Sequence, residues 1–315
     1  MSDVEDVVVD LAHRLREVVL PALGSHAGRA HVGGAAGAGD VTFAIDEQAE
    51  SEVERTLAER APDVAVYTED RALTVPGRGA EWVLVVDPID GTRPAMAGFE
   101  AACVSVALAP YGDGAPSMGE VSLGVVVEIK SGASFVARRG RGLDADVPVC
   151  PSANVDLERL FWAYGLRGRP VRLYAEVLGE LLDGSSVGGG CFDLGAATFD
   201  MTRVATGQLD AYIEPGPLLI ERLGWARAEF ERVGGGAVLN NAPYDLAAAA
   251  LCAAEAGCVV TDAAGRSLDS RPLLGSGHEF QMSVIASGNR ELHSRLVDAV
   301  GTGIERLRQG VGPAQ

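Results

Sequence analysis

The segment Trp82–Thr92, with the sequence WVLVVDPIDGT, constrains the fold more than any other stretch of the chain. Its first half is an unbroken apolar run, which predicts a strand buried on both faces. Because Pro88 has a fixed φ and no backbone N–H, we expect the strand to end there. Asp87 and Asp90 then follow at the mouth of a buried strand, where they repel each other unless a cation lies between them. The alternative is that Asp87 is a turn residue and Asp90 a helix N-cap, and this segment alone does not decide.

Three further segments place carboxylates at the ends of predicted elements: Asp40–Asp46, Val64–Asp70 and Ala242–Asp245. The first precedes a Glu-rich helix that we expect Asp46 to cap. The second is a short apolar strand that ends in Glu69 and Asp70, and the third opens an Ala/Leu helix. Acids at the ends of several separate elements favour a shared metal site over isolated turn residues.

These four segments, together with Gly195-Ala196-Ala197 and Val204–Glu214, resemble in their order the motifs of the inositol monophosphatase family. That family comprises magnesium-dependent, lithium-sensitive phosphatases with the motifs D-x-V-T-x-x-D, G-E-E, D-P-I-D-G-T, V-A-x-G-x-x-D-A-Y-x-E and W-D-x-A. The resemblance extends over roughly residues 5 to 290. It implies a mixed α+β and α/β fold, the layered αβαβα sandwich of the inositol monophosphatase and fructose-1,6-bisphosphatase type.

The charge of the chain bears on its partners. Its 315 residues carry 26 basic and 44 acidic side chains, a net charge of -18, which argues against binding to a nucleic acid polymer or an anionic membrane. An anionic substrate is still compatible, since metal ions reverse the sign locally. Five cysteines without a C-x-x-C pair predict reduced thiols in a cytoplasmic protein. We expect no signal peptide and no membrane span, because the N-terminus lacks a basic region and a long apolar run.

Two domains are expected, with a boundary at Cys150-Pro151-Ser152. Residues 1–149 form an N-terminal α+β domain with an antiparallel meander that carries most metal ligands, and residues 150–315 form an α/β domain in which helices and strands alternate. The second domain departs from the family by an extra segment at about residues 215–241, in which Leu218–Val233 predicts a further helix. This segment is a specificity lid, a dimer element or a surface insertion without a role.

A second departure lies in the Gly/Ala-rich loop at residues 30–39. Its composition favours a flexible connector. The family usually carries a Lys just before the D-x-V-T segment, whereas this chain has Ala38-Gly39 there. The resemblance therefore implies nothing for this chain about the role of that lysine.

The candidate metal ligands are the side chains of four acids and one carbonyl oxygen: Glu69, Asp87, Asp90, Asp245 and the carbonyl of Ile89. All are hard oxygen donors without a His or Cys, a set that favours Mg²⁺ or Mn²⁺ over Zn²⁺. The resemblance implies that Glu69, Asp87 and Ile89 hold one ion. It implies that Asp87, Asp90 and Asp245 hold a second, in a site of two or three ions.

The resemblance also implies the catalytic roles. Glu69 and a Thr92–Asp46 pair orient and deprotonate a metal-activated water, which attacks the phosphoryl group. The backbone N–H groups of Gly91 and Thr92 bind the phosphate, since glycine permits close approach.

The candidate substrate-binding residues are Asp90, Gly91, Thr92, Arg93, Glu214 and Asp245. Arg93 either binds a substrate anion bidentately or is a solvated side chain. Glu214 either contacts a substrate hydroxyl, as its family counterpart does, or is an exposed strand end. Tyr244 replaces the family's Trp and keeps an aromatic wall beside Asp245. Ala196 lacks the usual hydroxyl, for which Asp193 is a candidate substitute.

The sequence thus predicts a Mg²⁺-dependent phosphomonoesterase acting on a small phosphorylated polyol, sugar, cyclitol or nucleoside, with a dedicated biosynthetic pathway as one setting. Fructose 1,6-bisphosphate and 3′-phosphoadenosine 5′-phosphate are alternative substrates. The candidate basic residues that would bind their second phosphate are Arg93, Arg222 and Arg227. A non-catalytic ligand-binding relative is the alternative from another class, although no predicted metal ligand is lost. The resemblance also implies a homodimer.

Overall fold

The computed structural model describes residues 2–25, 31–35, 41–77, 79–112 and 114–310, with side chains left out for residues 2, 3, 31–35 and 41–43. Half of the Gly/Ala-rich loop, including Ala38 and Gly39, lies outside the described residues, and so does Asp40. The expectations for those positions therefore stay predictions. The other half, His31–Ala35, is a strand that pairs with Val41–Phe43, so the expectation of a flexible connector is wrong there.

The described residues fold into five alternating layers of helices and sheets. The helices are α1 (Ser2–Val19), α2 (Ala44–Arg60), α3 (Thr92–Ala97), α4 (Val171–Gly184), α5 (Ala197–Thr206), α6 (Gly216–Arg222), α7 (Ala226–Val233), α8 (Pro243–Glu255) and α9 (Arg290–Gly310). The strands are β1 (His31–Ala35), β2 (Val41–Phe43), β3 (Ala65–Thr68), β4 (Ala72–Thr74), β5 (Trp82–Asp90), β6 (Cys103–Pro110), β7 (Leu123–Glu128), β8 (Ser134–Arg138), β9 (Gly142–Ala145), β10 (Phe161–Tyr164), β11 (Gly190–Phe192), β12 (Ala211–Glu214), β13 (Val259–Thr261) and β14 (Val284–Ser287).

Strand β5 is the central element of the first sheet. In the described residues this sheet has seven strands in the order β4-β3-β5-β6-β7-β8-β9, and β5 pairs parallel with β3 and antiparallel with β6. After Trp82 every residue of β5 is buried, as its apolar run predicts. The expectation that the strand ends at Pro88 is wrong. The pairing with β6 shifts register between Asp87 and Asp90, and this irregularity accommodates a residue without an N–H.

The second sheet has the order β11-β10-β12-β14-β13 among the described residues, with both parallel and antiparallel pairs. One apolar cluster joins α1 and α2 to the outer face of the first sheet. A second fills the space between the sheets around α5 and α8, and a third joins α4 and α9 to the outer face of the second sheet. The layer order is therefore helix, sheet, helix, sheet, helix, which confirms the predicted sandwich. The division into domains 1–149 and 150–315 stays a prediction.

Two predicted elements differ in the structure, and one strand was not predicted. Helix α2 begins at Ala44, so Asp46 lies in its first turn and does not cap it; an acid there still favours the helix through the dipole. The extra segment forms two helices, α6 and α7, with a break at Leu223-Gly224-Trp225. The exposed three-residue strand β11 is the strand that the sequence did not predict.

Two further observations concern membrane-spanning helices and the cysteines. No helix in the described part of the chain is long and apolar enough to cross a membrane. All five cysteines are free, with Cys150 and Cys191 exposed and the others buried.

Candidate metal centre and catalytic pocket

The centre of the site is a cluster of three aspartates. Asp87 and Asp90 lie at the end of β5, and Asp245 lies in the first turn of α8. One carboxylate oxygen from each lies within 4.8 Å of the others. Ser105 helps to hold α8 at the strand end, because its Oγ donates to the backbone carbonyl of Tyr244 at 3.2 Å and Ser105 pairs with Asp87 across β5 and β6. The structure thus brings Asp245 close to Asp87, which lies 158 residues earlier in the sequence (245 − 87).

Each of these carboxylates accepts one backbone N–H. The Ile89 N–H donates to Asp87 Oδ1 at 3.0 Å, the Thr198 N–H donates to Asp90 Oδ2 at 2.5 Å, and the Ala242 N–H donates to Asp245 Oδ2 at 2.6 Å. A single N–H fixes the orientation of a carboxylate and leaves it further acceptor capacity. The cluster is therefore held in place by the ends of β5, α5 and α8.

Burial raises the pKa values of all three acids. Asp87 is 1% exposed, and burial followed by repulsion from Glu69 raises its pKa well above the usual range. Burial raises the pKa of Asp90 to about 6 and, with repulsion from Asp90, raises the pKa of Asp245 to about 7. Three carboxylates that oppose ionisation so strongly fit a site for a divalent cation, which would relieve their repulsion.

The cluster lies in a pocket of about 70 Å³ whose lining includes Glu69, Ile89 and Gly91. Glu69 stands outside the group of oxygens within 4.8 Å among the described residues, although its charge acts on Asp87. Gly91 has a φ of 88°, and a Cβ there would lie 2.8 Å from the Cβ of Ala196. Glycine is therefore required for β5 to approach the start of α5.

Three arginines line the same pocket: Arg93, Arg167 and Arg169. The charge of Arg167 lowers the pKa values of Asp90 and Asp245, so it acts against the effect of burial. Arg222 and Arg227, the other bases considered from the sequence, are absent from this pocket's described lining, and Arg227 is paired with Glu231 at 2.7 Å.

Arg169 is 5% exposed and is fixed by a buried network. It forms an ion pair with Glu214 at 2.6 Å, and its Nη2 donates to Asn241 Oδ1 at 3.0 Å. Glu214 is fully buried and also accepts from the Tyr174 hydroxyl and from the Gly216 N–H. The interpretation of Glu214 as an exposed strand end is therefore wrong. Arg169, which Glu214 holds, lines the pocket, whereas Glu214 does not belong to its described lining.

The other predicted site residues lie around the cluster. Thr92 lines the pocket, and its hydroxyl donates to the Ile89 carbonyl oxygen at 3.1 Å. Asp193 also lines the pocket. Tyr244 is 4% exposed and stacks on Tyr67 with ring centroids 6.4 Å apart, and it does not belong to the described lining of the pocket. A bond between Thr92 and Asp46 stays a prediction.

The sequence profile described as "Inositol monophosphatase family" matches residues 1–305. The chain belongs to this family. It is an inositol-monophosphatase-like phosphomonoesterase of a metal-dependent family, and its aspartate cluster is able to hold a metal ion.

Two curated relatives show the breadth of the inositol monophosphatase family. The chain is 29% identical over 304 residues to the "Fructose-1,6-bisphosphatase/inositol-1-monophosphatase" of Methanothermobacter thermautotrophicus, covering 93% of this chain and 95% of that protein. It is 26% identical over 235 residues to the "Nus factor SuhB" of Vibrio cholerae, covering 73% and 74%. Because the second is titled a Nus factor, the exclusion of a nucleic acid partner stays a prediction.

A solved structure supports the fold. The extragenic suppressor protein suhB of Bartonella henselae superposes with a TM-score of 0.70 at 24% identity, covering 95% of this chain and 98% of that one. The chain therefore has the fold of the inositol monophosphatase and fructose-1,6-bisphosphatase type, with two mixed sheets.

Sequence reasoning missed several pocket residues that lie outside the family motifs. Arg167 and Arg169 follow β10, and basic residues just after a predicted strand were a usable signal, like the acids after β3 and β5. Asn240 and Asn241 precede α8 at the end of the extra segment and gave only the signal of a turn. Thr198 contributes through its backbone, which no residue type reveals.

Proposed function

We propose that this protein is a Mg²⁺-dependent phosphomonoesterase that hydrolyses a small phosphorylated polyol, sugar, cyclitol or nucleoside in a dedicated biosynthetic pathway. The observation that carries the proposal is the cluster of Asp87, Asp90 and Asp245, whose oxygens converge within 4.8 Å in a pocket also lined by arginines. An all-carboxylate cluster suits a hard cation, and nearby guanidinium groups suit a phosphate.

The donor set fits magnesium. We assign Glu69, Asp87, Asp90, Asp245 and the Ile89 carbonyl as the groups that hold two or three Mg²⁺ ions, with Mn²⁺ as a substitute. When bound, such ions polarise a phosphoryl group and make a water molecule more acidic. The raised pKa values of the three aspartates support the assignment, since the cluster has too little positive charge of its own.

The chain's own residues then divide the remaining work. Gly91 and Thr92 present backbone N–H groups to the phosphate, at a point where the absence of a Cβ allows close approach. Arg93 and Arg167 line the pocket and offset the charge of the phosphate. Glu69 accepts the proton of the attacking water, and Thr92 with Asp46 orients that water. Asp90 and Asp245 also border the substrate, and Glu214 acts on it through Arg169.

Fructose 1,6-bisphosphate and 3′-phosphoadenosine 5′-phosphate are the second candidate substrates. The observations that favour them are the three arginines of the pocket and the relative titled a fructose-1,6-bisphosphatase as well as an inositol-1-monophosphatase. Against a dedicated second phosphate site, Arg169 is already paired with Glu214.

The assembly and setting of the protein are part of the same proposal. We expect a cytoplasmic homodimer that binds a small phosphorylated metabolite and neither a membrane nor a nucleic acid polymer. The net charge of -18 supports the last two exclusions.

The test is phosphate release from a panel of esters, with and without Mg²⁺, by the wild type and by Asp87→Asn. The panel contains inositol 1-phosphate, fructose 1,6-bisphosphate, 3′-phosphoadenosine 5′-phosphate and nucleoside monophosphates. We expect Mg²⁺-dependent release that falls at least about a thousandfold in Asp87→Asn, because an amide is a poorer ligand than a carboxylate and carries no negative charge.

Asp183→Asn, at an exposed position on α4, is the matched control and should behave as the wild type. Circular dichroism checks that both variants fold. Release that is independent of Mg²⁺, or equal in Asp87→Asn and the wild type, would contradict the proposal. No release from any ester, together with retained Mg²⁺ binding, would favour the ligand-binding alternative.

A further inference from the structure

A second cavity of about 390 Å³ lies beside the catalytic pocket. Asn240 lines both spaces, so this residue stands where they meet. The second cavity is bordered by α6 of the extra segment and by the loop region between β13 and β14. Its polar lining includes Glu221, Asp262, Arg266, Ser270, Arg271 and Gln281.

The side chain of Asn240 is buried and unpaired. It is 8% exposed, and neither Nδ2 nor Oδ1 has a hydrogen-bond partner in the described part of the chain. Its neighbour Asn241 differs, because its carboxamide accepts from Arg169 and donates to the Tyr212 hydroxyl at 2.8 Å. Buried polar groups are almost always hydrogen-bonded, and leaving one unpaired costs about 1–3 kcal/mol. An unpaired carboxamide at the boundary of two cavities therefore indicates a ligand that completes it.

The surrounding residues hold Asn240 in this position. Gln281 is 3% exposed, its Nε2 donates to the Val238 carbonyl at 2.7 Å, and its Oε1 accepts from the Asn240 N–H at 3.2 Å. On the other side, a Cβ at Gly216 would collide with Asn240 Oδ1. Gln281 is thus a positioning residue, and Gly216 leaves the room that the carboxamide occupies.

The charges of the second cavity do not favour a second phosphate. Arg266 is neutralised by Glu221 and Asp262, with which it forms ion pairs at 2.7 and 2.6 Å. Arg271 donates to the backbone carbonyls of Glu279 and Gln281. The lining carries three acids against two arginines, so an uncharged polar group fits it better than an anion.

The sizes of the two spaces divide a substrate between them. Small-molecule sites typically have volumes of about 300–1,000 Å³. The volume of the second cavity lies in this range, and the volume of the described catalytic pocket lies below it. The 70 Å³ beside the aspartates suits a phosphoryl group, and the 390 Å³ beyond Asn240 suits the alcohol that it is attached to.

We infer that Asn240 determines specificity for the leaving alcohol, and that the substrate is a phosphomonoester whose uncharged, hydroxylated alcohol extends past Asn240 into the second cavity. This inference rests on the proposed phosphomonoesterase function. The carboxamide offers a donor and an acceptor, which match the adjacent hydroxyl groups of a sugar or of a nucleoside. A site built to hydrogen-bond a hydroxyl discriminates strongly against substrates that lack it.

The test compares kcat/KM for long and short esters in the presence of Mg²⁺. Trehalose 6-phosphate and adenosine 5′-monophosphate are the long esters, and their comparison distinguishes a sugar from a nucleoside. Glycerol 2-phosphate is the short ester, because its alcohol is much smaller than a disaccharide or a nucleoside, and fructose 1,6-bisphosphate tests a second phosphate. We expect Asn240→Ala to lower the ratio of kcat/KM for the long esters to kcat/KM for the short ester at least about tenfold, chiefly by raising KM for the long esters.

Ser270→Trp should lower the same ratio by filling the second cavity at an exposed position. Ser186→Trp, which is exposed and lines neither space, should leave it unchanged. A ratio within about twofold of the wild type in both Asn240→Ala and Ser270→Trp would overturn the inference. So would a preference for fructose 1,6-bisphosphate over both long esters.

Calorimetry separates a failure of this inference from a failure of the proposed function. If the wild type hydrolyses no ester, the proposed function fails, and trehalose and adenosine themselves are then titrated into the metal-free protein. Binding to the wild type that is weakened at least about tenfold by Asn240→Ala would still support the ligand site. Absence of binding, or equal binding by both proteins, would overturn it.

Discussion

At the scale of single residues, the aspartate cluster combines rigidity with electrostatic repulsion. Asp87, Asp90 and Asp245 each accept one backbone N–H, which fixes them without neutralising them. Burial raises the pKa of Asp90 to about 6 and that of Asp245 to about 7, so protons compete with a cation for these oxygens near neutral pH. The site is thus arranged to bind a cation more strongly as the pH rises.

Glu214, in its buried ion pair with Arg169, is a residue whose role the sequence did not reveal. The family pattern identified Glu214 as a strand-end acid, and both sequence interpretations assumed that it was accessible. In the fold its carboxylate is enclosed by Arg169, Tyr174 and the Gly216 N–H. Because these partners lie on separate elements, only the packing of the second sheet determines whether the acid is exposed or buried.

His293, in the first turn of α9, should make the stability of the protein sensitive to acid. Burial, followed by repulsion from Arg290, lowers its pKa to about 4, and its ring nitrogens contact the hydroxyl groups of Thr261 and Ser287. The neutral ring is favoured in the fold, so its stabilisation is present above the unfolded pKa of about 6.5 and is lost as the pH falls towards 4. We expect the wild type to lose about 3 kcal/mol more than His293→Gln between about pH 7 and pH 4.

Urea unfolding across this pH range measures the difference. His13→Gln is the control, because His13 lies on α1 away from this contact. Parallel pH profiles for the wild type and His293→Gln would contradict the prediction.

At the scale of elements, the sequence predicted most strands and helices because their apolar periodicity is strong. It failed where tertiary pairing decides the outcome. Strand β5 continues through Pro88 because its partner β6 allows a register shift. Strand β11 is an exposed edge of three residues and has no periodicity to detect. The extra segment divides into α6 and α7 although its apolar residues suggested one helix.

The extra segment belongs to the core and is not a detachable surface insertion. Leu219 on α6 and Phe230 on α7 are completely buried in the apolar cluster around α4 and α9. We expect Leu219→Ala to lower the free energy of unfolding by about 2–5 kcal/mol, the usual cost of a cavity at a buried leucine.

Val233→Ala, at a position on α7 that is 39% exposed, is the matched control and should cost less than about 1 kcal/mol. Chemical denaturation of both variants gives the comparison. Equal, small losses would mean that the segment is attached only loosely to the second sheet.

At the scale of the whole molecule, α8 couples the first sheet to the metal centre. Gly124 on β7 packs against α8 so closely that a Cβ would lie 2.8 Å from the Ala248 carbonyl oxygen. Because α8 also carries Asp245, we expect Gly124→Ala to lower the free energy of unfolding by about 1–3 kcal/mol and to weaken Mg²⁺ binding severalfold.

Gly301→Ala on α9 is the control, because no atom beyond its own helix backbone lies within 4 Å of its Cβ position. It should raise the stability by about 0.5–1 kcal/mol, as alanine does within a helix, and should leave Mg²⁺ binding unchanged. Thermal unfolding and calorimetry read both effects. If Gly124→Ala unfolds and binds Mg²⁺ as the wild type does, the coupling of the first sheet to the metal centre through α8 is contradicted.

The sequence predicted the acidic half of the site far better than its basic and polar half. Glu69, Asp87, Asp90 and Asp245 stand in short motifs whose residue types follow from the chemistry of the cation. Arg169 and Asn240 reach the pocket only through the packing of β12, the extra segment and Gln281. Their surroundings depend on contacts between distant parts of the chain, which no local pattern records.

A calorimetric titration of the metal-free protein with Mg²⁺ shows whether the aspartate cluster is the metal centre. We expect the wild type to bind Mg²⁺ at about pH 8, and to bind it at least about tenfold more weakly at about pH 5.5, where protons occupy Asp90 and Asp245. Asp87→Asn should weaken the binding at about pH 8 by at least about a hundredfold. Binding by Asp87→Asn as tight as that of the wild type, or no binding by the wild type, would contradict the assignment of this cluster as the metal centre.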